Sequence, residues 1–277
     1  MKIPSILLGT AVIGAGALGT AAFVIPTVAT SAAACDATRF TIRAGMPGAG
    51  SAYPTAKVKA ECQGANLVVT SNGIPSYTFV AKTPNPLRTQ NWKWTVPLAP
   101  AKAARTTSIV NRLGTLGFTV TGIPIYGPTE GPMPANEAYG DPVYNRILDS
   151  CKGHTGFMGE YHDHAIAAVA RCGFSDGTTV IGYAIDGFPI MAPSSNAISG
   201  YVKTGNPKKQ SWKAYAYKAS SNRKVLDRCN GRTEADGSYA YHATTTFPYF
   251  IGCFRGTPVT QQGAAGGPMP PMGPPPG

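Results

Sequence analysis

One pattern occurs twice in this chain and limits what it can fold into. Leu148-Asp149-Ser150-Cys151-Lys152-Gly153-His154, followed by Gly159-Glu160-Tyr161-His162-Asp163-His164-Ala165, reappears 78 residues later. The second copy reads Leu226-Asp227-Arg228-Cys229-Asn230-Gly231-Arg232, followed by Gly237-Ser238-Tyr239-Ala240-Tyr241-His242-Ala243. A constant offset through two gap-free blocks marks a duplicated structural unit, so the fold must accommodate two copies of one arrangement. Related turns precede the copies, Gly122-Ile123-Pro124-Ile125-Tyr126-Gly127-Pro128 and Gly187-Phe188-Pro189-Ile190-Met191-Ala192-Pro193. In each, Gly supplies positive φ and Pro fixes the next bend. The units span about 117–176 and 178–255, and a weaker echo of the turn stands at Asn72-Gly73-Ile74-Pro75.

Between Asp36 and Val120 the chain is a series of short β-branched and aromatic runs, at 39–42, 65–70, 77–80, 92–96 and 117–120, separated by Pro, Gly and Asn. That pattern predicts half-buried strands and an all-β fold, layered and linked by disulfides, with an internal duplication and only short helical turns near 147–149 and 165–171. One β domain over 35–256 is expected. The Pro/Gly-rich segment 257–277 cannot bury enough surface to fold and reads as a disordered tail.

Residues 1–34 read as an export signal: Lys2, an apolar run, then Ala32-Ala33-Ala34 as a cleavage site. The expected location is therefore secreted or periplasmic. The mature chain has no membrane span on this reading, unless the signal stays as an uncleaved anchor or Cys35 carries a lipid. The 6 cysteines form an even set beyond that signal, which predicts disulfides rather than a cysteine metal site. The duplication selects Cys151 with Cys172 and Cys229 with Cys253, leaving Cys35 for Cys62; a cross-pair of Cys151 with Cys229 is the alternative. Formal charge is +11, and Lys203, Lys208, Lys209, Lys213, Lys218, Arg223 and Lys224 fall in a stretch without acidic residues. This 201–224 segment could meet an envelope polymer or another anionic surface. Trp212, Tyr215 and Tyr217 interleave with its lysines, but no nucleic-acid fold signature accompanies them and no nucleic-acid partner is expected.

All 4 histidines, at 154, 162, 164 and 242, lie inside the repeated blocks. Alternation along a strand puts His162 and His164 on one face and Tyr161 and Asp163 on the other. If the units pack about a pseudo-twofold axis, His242 would join them, making three convergent imidazoles, the number used by many zinc and type-2 copper sites. His154 is a fourth member or a supporting neighbour. Asp163 and Asp186 are the candidate carboxylates for orienting an imidazole or activating a bound water, although Asp186 reads first as a cap of the bend at Gly187; Asp149 and Asp227 read as loop caps beside cysteines.

At these same residues the chain resembles the YHYH-domain family of exported proteins, named for a Tyr-His-Tyr-His signature. The signature stands here as Tyr161-His162-Asp163-His164 and Tyr239-Ala240-Tyr241-His242. Further matches are Cys151-Lys152-Gly153-His154, Gly182-Tyr183-Ala184-Ile185-Asp186-Gly187-Phe188-Pro189-Ile190 and Phe247-Pro248-Tyr249-Phe250-Ile251-Gly252-Cys253. Asp163 replaces a signature Tyr and Ala240 a signature His. The resemblance implies no settled activity.

Three functions compete. The first is an exported protein binding a divalent metal, copper or zinc, at a histidine-rich site between the units, as a hydrolytic or oxidative metalloenzyme. The second is a non-enzymatic extracellular or envelope domain binding a glycan or anionic surface. A metal-free enzyme using histidine and aspartate ranks last, because no Ser or Cys stands in a nucleophile setting.

Overall fold

Alternation of buried and exposed residues is plainest in Trp92–Pro97, where Trp92, Trp94 and Val96 are buried while Lys93 and Thr95 face water. Such a segment is stable only as one face of a sheet over a core, because burying each large apolar side chain contributes about 1.5–3 kcal/mol. The structure, a computed structural model, describes residues 35–110, 112–131 and 139–260. The export signal over 1–34 and most of the tail lie outside those residues. Among the described residues fifteen strands form, in order β1 (Val58–Gln63), β2 (Asn66–Ser71), β3 (Trp92–Pro97), β4 (Thr107–Ser108), β5 (Gly117–Thr119), β6 (Pro124–Ile125), β7 (Gly153–Thr155) and β8 (Tyr161–Asp163). They continue as β9 (Val180–Ala184), β10 (Pro189–Met191), β11 (Tyr201–Lys203), β12 (Tyr215–Tyr217), β13 (Gly231–Thr233), β14 (Tyr239–His242) and β15 (Cys253–Phe254). The helical residues described are short 3-10 turns at Ala37–Arg39, Ala170–Cys172 and Trp212–Ala214. Among the described residues no helix is long and apolar enough to cross a membrane.

The 8-stranded sheet runs β13-β14-β10-β9-β5-β6-β8-β7. Outward from its centre, each half has an antiparallel hairpin, β5–β6 or β9–β10, then a parallel neighbour, β8 or β14, then an antiparallel edge strand, β7 or β13. The halves meet at the antiparallel β5–β9 pair. The two segments that match in sequence thus hold equivalent places at opposite ends of one sheet.

Local chemistry is equivalent as well. Oδ1 of Asp149 accepts the N–H groups of Cys151 and Gly153, and Oδ1 of Asp227 accepts those of Cys229 and Gly231. The hydroxyls of Tyr161 and Tyr239 donate to the same two carboxylates. Lys152 and Asn230 both take positive φ, 74° and 64°. A Cβ on Gly153 or Gly231 would sit 2.4 or 2.3 Å from the facing tyrosine hydroxyl, so both positions need glycine for lack of room.

A second layer, β1-β2-β3, covers the centre of the large sheet. Trp94 stacks on Phe118 of β5 with centroids 4.8 Å apart, and the positive-φ glycines Gly122 and Gly187 abut Ser71 and Pro97 at the ends of β2 and β3. Disulfides join Cys35–Cys62, Cys151–Cys172 and Cys229–Cys253. Segments 39–42 and 77–80, expected as strands, pair with no ladder. Their side chains fill the core instead: Phe40 stacks near Tyr183, and Tyr77 donates its hydroxyl to that of Tyr161.

Candidate metal centre

His154 and His162 are direct cross-strand partners in the β7–β8 pair, which places their rings side by side on one face. His164 follows two residues after His162, past the end of β8, on the same face. Tyr161 and Asp163 point the other way, into the core. The loop leaving β6 is tied to β8 where the N–H of Tyr126 bonds to the carbonyl of Asp163. That tether brings Glu130 over the three rings.

Each imidazole has one nitrogen committed. Nδ1 of His154 faces the carbonyl of Ile147 at 3.1 Å, Nδ1 of His162 that of Glu160 at 3.3 Å, and Nδ1 of His164 that of Gly127 at 2.6 Å. A carbonyl only accepts, so these contacts assign the proton to Nδ1 in all three neutral rings and leave each Nε2 as a bare lone pair. The lone pairs converge: Nε2 of His164 lies 3.1 Å from that of His154 and 3.0 Å from that of His162. Acceptors at that separation repel one another unless a cation stands among them. Oε2 of Glu130 is 2.8 Å from His154 Nε2 and 3.3 Å from His164 Nε2, yet no donor is aligned to give it a hydrogen bond. The four ligand atoms lie within 4.8 Å of one another. Ligands held about 2.0–2.2 Å from one ion stand roughly 3 to 4 Å apart, so the group fits a metal ion.

The histidines are buried, while the Glu130 side chain retains 25% of its exposure and marks the open side. Burial alone would raise the carboxyl of Glu130; only with a second proton, on Nε2, do His154 and His164 outweigh it and hold the group well below the usual carboxylate range. Burial pushes His162 well below the ordinary histidine range, and a second proton on either neighbouring imidazole would push it further. Tyr126 stacks on His162 with centroids 3.9 Å apart and donates weakly, at 3.4 Å, to Oε1 of Glu160. Burial raises the Glu160 carboxyl above its ordinary range.

Two sequence expectations are corrected by this arrangement. His242 does not join the other three: β14 and β8 are separated by β10, β9, β5 and β6, five strand spacings or roughly 24 Å. The pseudo-twofold runs through the β5–β9 pair, so it carries equivalent histidines to opposite ends of the sheet rather than together. Nor do Asp163 and Asp186 reach the imidazoles, whose outer nitrogens are oriented by backbone carbonyls. Asp163 faces the core beside Asp149, where burial and then that neighbour push its carboxyl well above the usual range. Asp186 caps its turn, accepting the N–H groups of Phe188 and Gly256 and the hydroxyl of Tyr241.

The second copy shows what the first has that is special. Where His154 and His162 stand, it carries Arg232 and Ala240. The remaining His242 bonds through Nε2 to Oε1 of Glu234 at 2.6 Å, and Arg232 donates from Nε to that oxygen at 3.1 Å. A guanidinium thus supplies the cation there. Glu130 went unnoticed in the sequence because it lies outside the repeated blocks. Its available signal was position, just beyond the Gly-x-Pro-Ile turn, in a chain with only 13 acidic residues.

Residues 93–256 match the model of the family described as YHYH protein. No curated protein and no solved structure matches the chain.

Proposed function

The chain belongs to the YHYH family, and from the group in its first copy we propose that it is a metal-binding protein whose ligands are His154, His162, His164 and Glu130. One observation carries this reading: three Nε2 lone pairs aim at one another with their Nδ1 protons already committed to carbonyls, beside a carboxylate oxygen without a donor. Protein groups alone leave that cluster of acceptors unsatisfied; a divalent cation satisfies it. Imidazole-rich ligation suits zinc or copper. When bound, such a metal supplies Lewis-acid or redox chemistry, which makes hydrolysis or oxidation the candidate activities. The chain's own part is to orient the rings through the carbonyls of Ile147, Glu160 and Gly127, to offset charge with Glu130, and to keep a second carboxyl, Glu160, near the site where it can hold a proton.

Three disulfides fit an oxidising compartment. Together with the leader-like 1–34 segment they support export to the periplasm or the medium. Metal analysis of protein purified from its exported location tests the proposal. The expected result is close to one zinc or copper per chain in the native protein and none in a His162→Ala, His164→Ala double variant that still forms its disulfides. Equal metal in the two proteins, or none in either after incubation with both ions, would overturn it.

A further inference from the structure

The basic segment 201–224 contains the antiparallel β11–β12 hairpin. With β4 and β15 it bounds a cleft of about 640 Å³, a volume within the roughly 300–1,000 Å³ of small-molecule sites. Tyr201, Trp212, Tyr215 and Tyr217 line it together with Lys213 and Arg228, and no carboxylate among the described residues does. The rings are fixed before any ligand arrives. Trp212 and Tyr215 pack on Phe247 with centroids 4.8 and 4.1 Å away, and Tyr201 meets Trp212 and Tyr217 edge to face. Hydroxyls of Tyr201, Tyr215 and Tyr217 are anchored to Arg228, Asp141 and Leu226 respectively. The Arg228 guanidinium lies over the Tyr217 ring at 4.8 Å. The indole N–H of Trp212 is buried with no acceptor of the protein's own.

We propose that this cleft binds an acidic saccharide, a segment of carboxylate-bearing polymer. Aromatic surface beside cationic side chains suits the apolar C–H faces and carboxylates of sugar acids, and rings that meet at 76° and 63° give no continuous platform for successive bases. Lys213 and Arg228 supply charge-assisted bonds to carboxylates, the Arg228 fork in a bidentate manner. The hydroxyls of Thr106 and Ser108, also at the cleft, match sugar hydroxyls. This assignment is independent of the metal reading.

The test uses the intact mature protein and a short oligogalacturonate, with its methyl ester as the uncharged control. Trp92 and Trp94 are 4% and 0% exposed in the core, so a change in tryptophan emission on binding reports Trp212. Saturable binding of the acid is expected, weakening with added salt. The ester should bind about tenfold less tightly or worse, and a Lys213→Gln, Arg228→Gln double variant should lose affinity for the acid to a similar degree. Both substitutions are at exposed positions, and near-ultraviolet circular dichroism checks that packing is unchanged. Trp212→Phe should abolish the emission change while calorimetry still detects the ligand. The assignment is overturned if the acid does not bind, if acid and ester bind equally, if the double variant binds as the native protein does, or if an oligothymidylate competes with equal affinity.

Discussion

The metal reading makes a quantitative demand on stability. A ligand that binds only the folded chain stabilises it by RT ln(1 + [L]/Kd), about 2.7 kcal/mol when free metal is 100 times Kd. For a protein of this size each kcal/mol moves the midpoint of thermal unfolding by about 2–4 °C, so metal-stripped protein should gain roughly 5 to 11 °C on titration with zinc or copper. The structure says which residues this gain must depend on. Replacing His162 and His164 with Ala removes two of the four convergent atoms and should erase the gain. Glu130→Gln keeps the shape but removes the carboxylate, and should shift the titration by about tenfold or more in metal concentration, as expected for loss of a charged ligand. His242→Ala should keep the full gain, because its ring is bonded to Glu234 at the other end of the sheet. Scanning calorimetry of the four proteins, each stripped and then titrated, decides the matter. Comparing the gain within each variant cancels the cavity cost of the alanines, which would otherwise obscure the result. The reasoning is refuted if native protein shows no gain with either ion, or if the double histidine variant gains as much as the native chain.

Other expectations follow from the same geometry. Arg232→His with Ala240→His would give the second copy the residue types of the first around His242 and Glu234, and metal analysis should then rise from one ion per chain to two; an unchanged ratio would break the equivalence of the copies. Gly153→Ala puts a Cβ 2.4 Å from the Tyr161 hydroxyl, and chemical denaturation should show a loss of about 1–3 kcal/mol from overpacking. Burial, opposed in part by Glu234 and assisted by Arg232, lowers the pKa of His242 below the ordinary histidine value. The unfolded chain therefore takes up this proton first, and stability conferred by the neutral ring is lost as pH falls below about 6.5 toward the lowered folded value. His242→Gln should flatten that part of the fall in the midpoint of thermal unfolding between pH 7 and 5. A variant whose midpoint falls as steeply as that of native protein would count against both the direction and the cause of the shift.

By itself the sequence determined that the chain is β-rich and that one pattern stands in it twice; it favoured Cys151 with Cys172 and Cys229 with Cys253, and the structure decided for those pairs over a Cys151–Cys229 cross-pair. Those features are encoded in short-range patterns: alternation in Trp92–Val96, Gly-x-Pro turns, and a fixed spacing from each Leu-Asp-x-Cys to its Tyr-His strand. It also put His162 and His164 on one face by strand alternation and gave His154 as a fourth member or supporting neighbour; the β7–β8 pair then showed His154 directly opposite His162. What only the tertiary structure decided was the placement of the copies. An axis at the β5–β9 pair sends His242 to the opposite end from its counterpart His164, and no local pattern specifies where such an axis lies. The fourth ligand was decided in the same way, because Glu130 reaches the imidazoles through a loop bonded to β8. Strand alternation tells which face a side chain takes; which elements are brought against that face depends on sheet order, and sheet order follows from how the whole core packs.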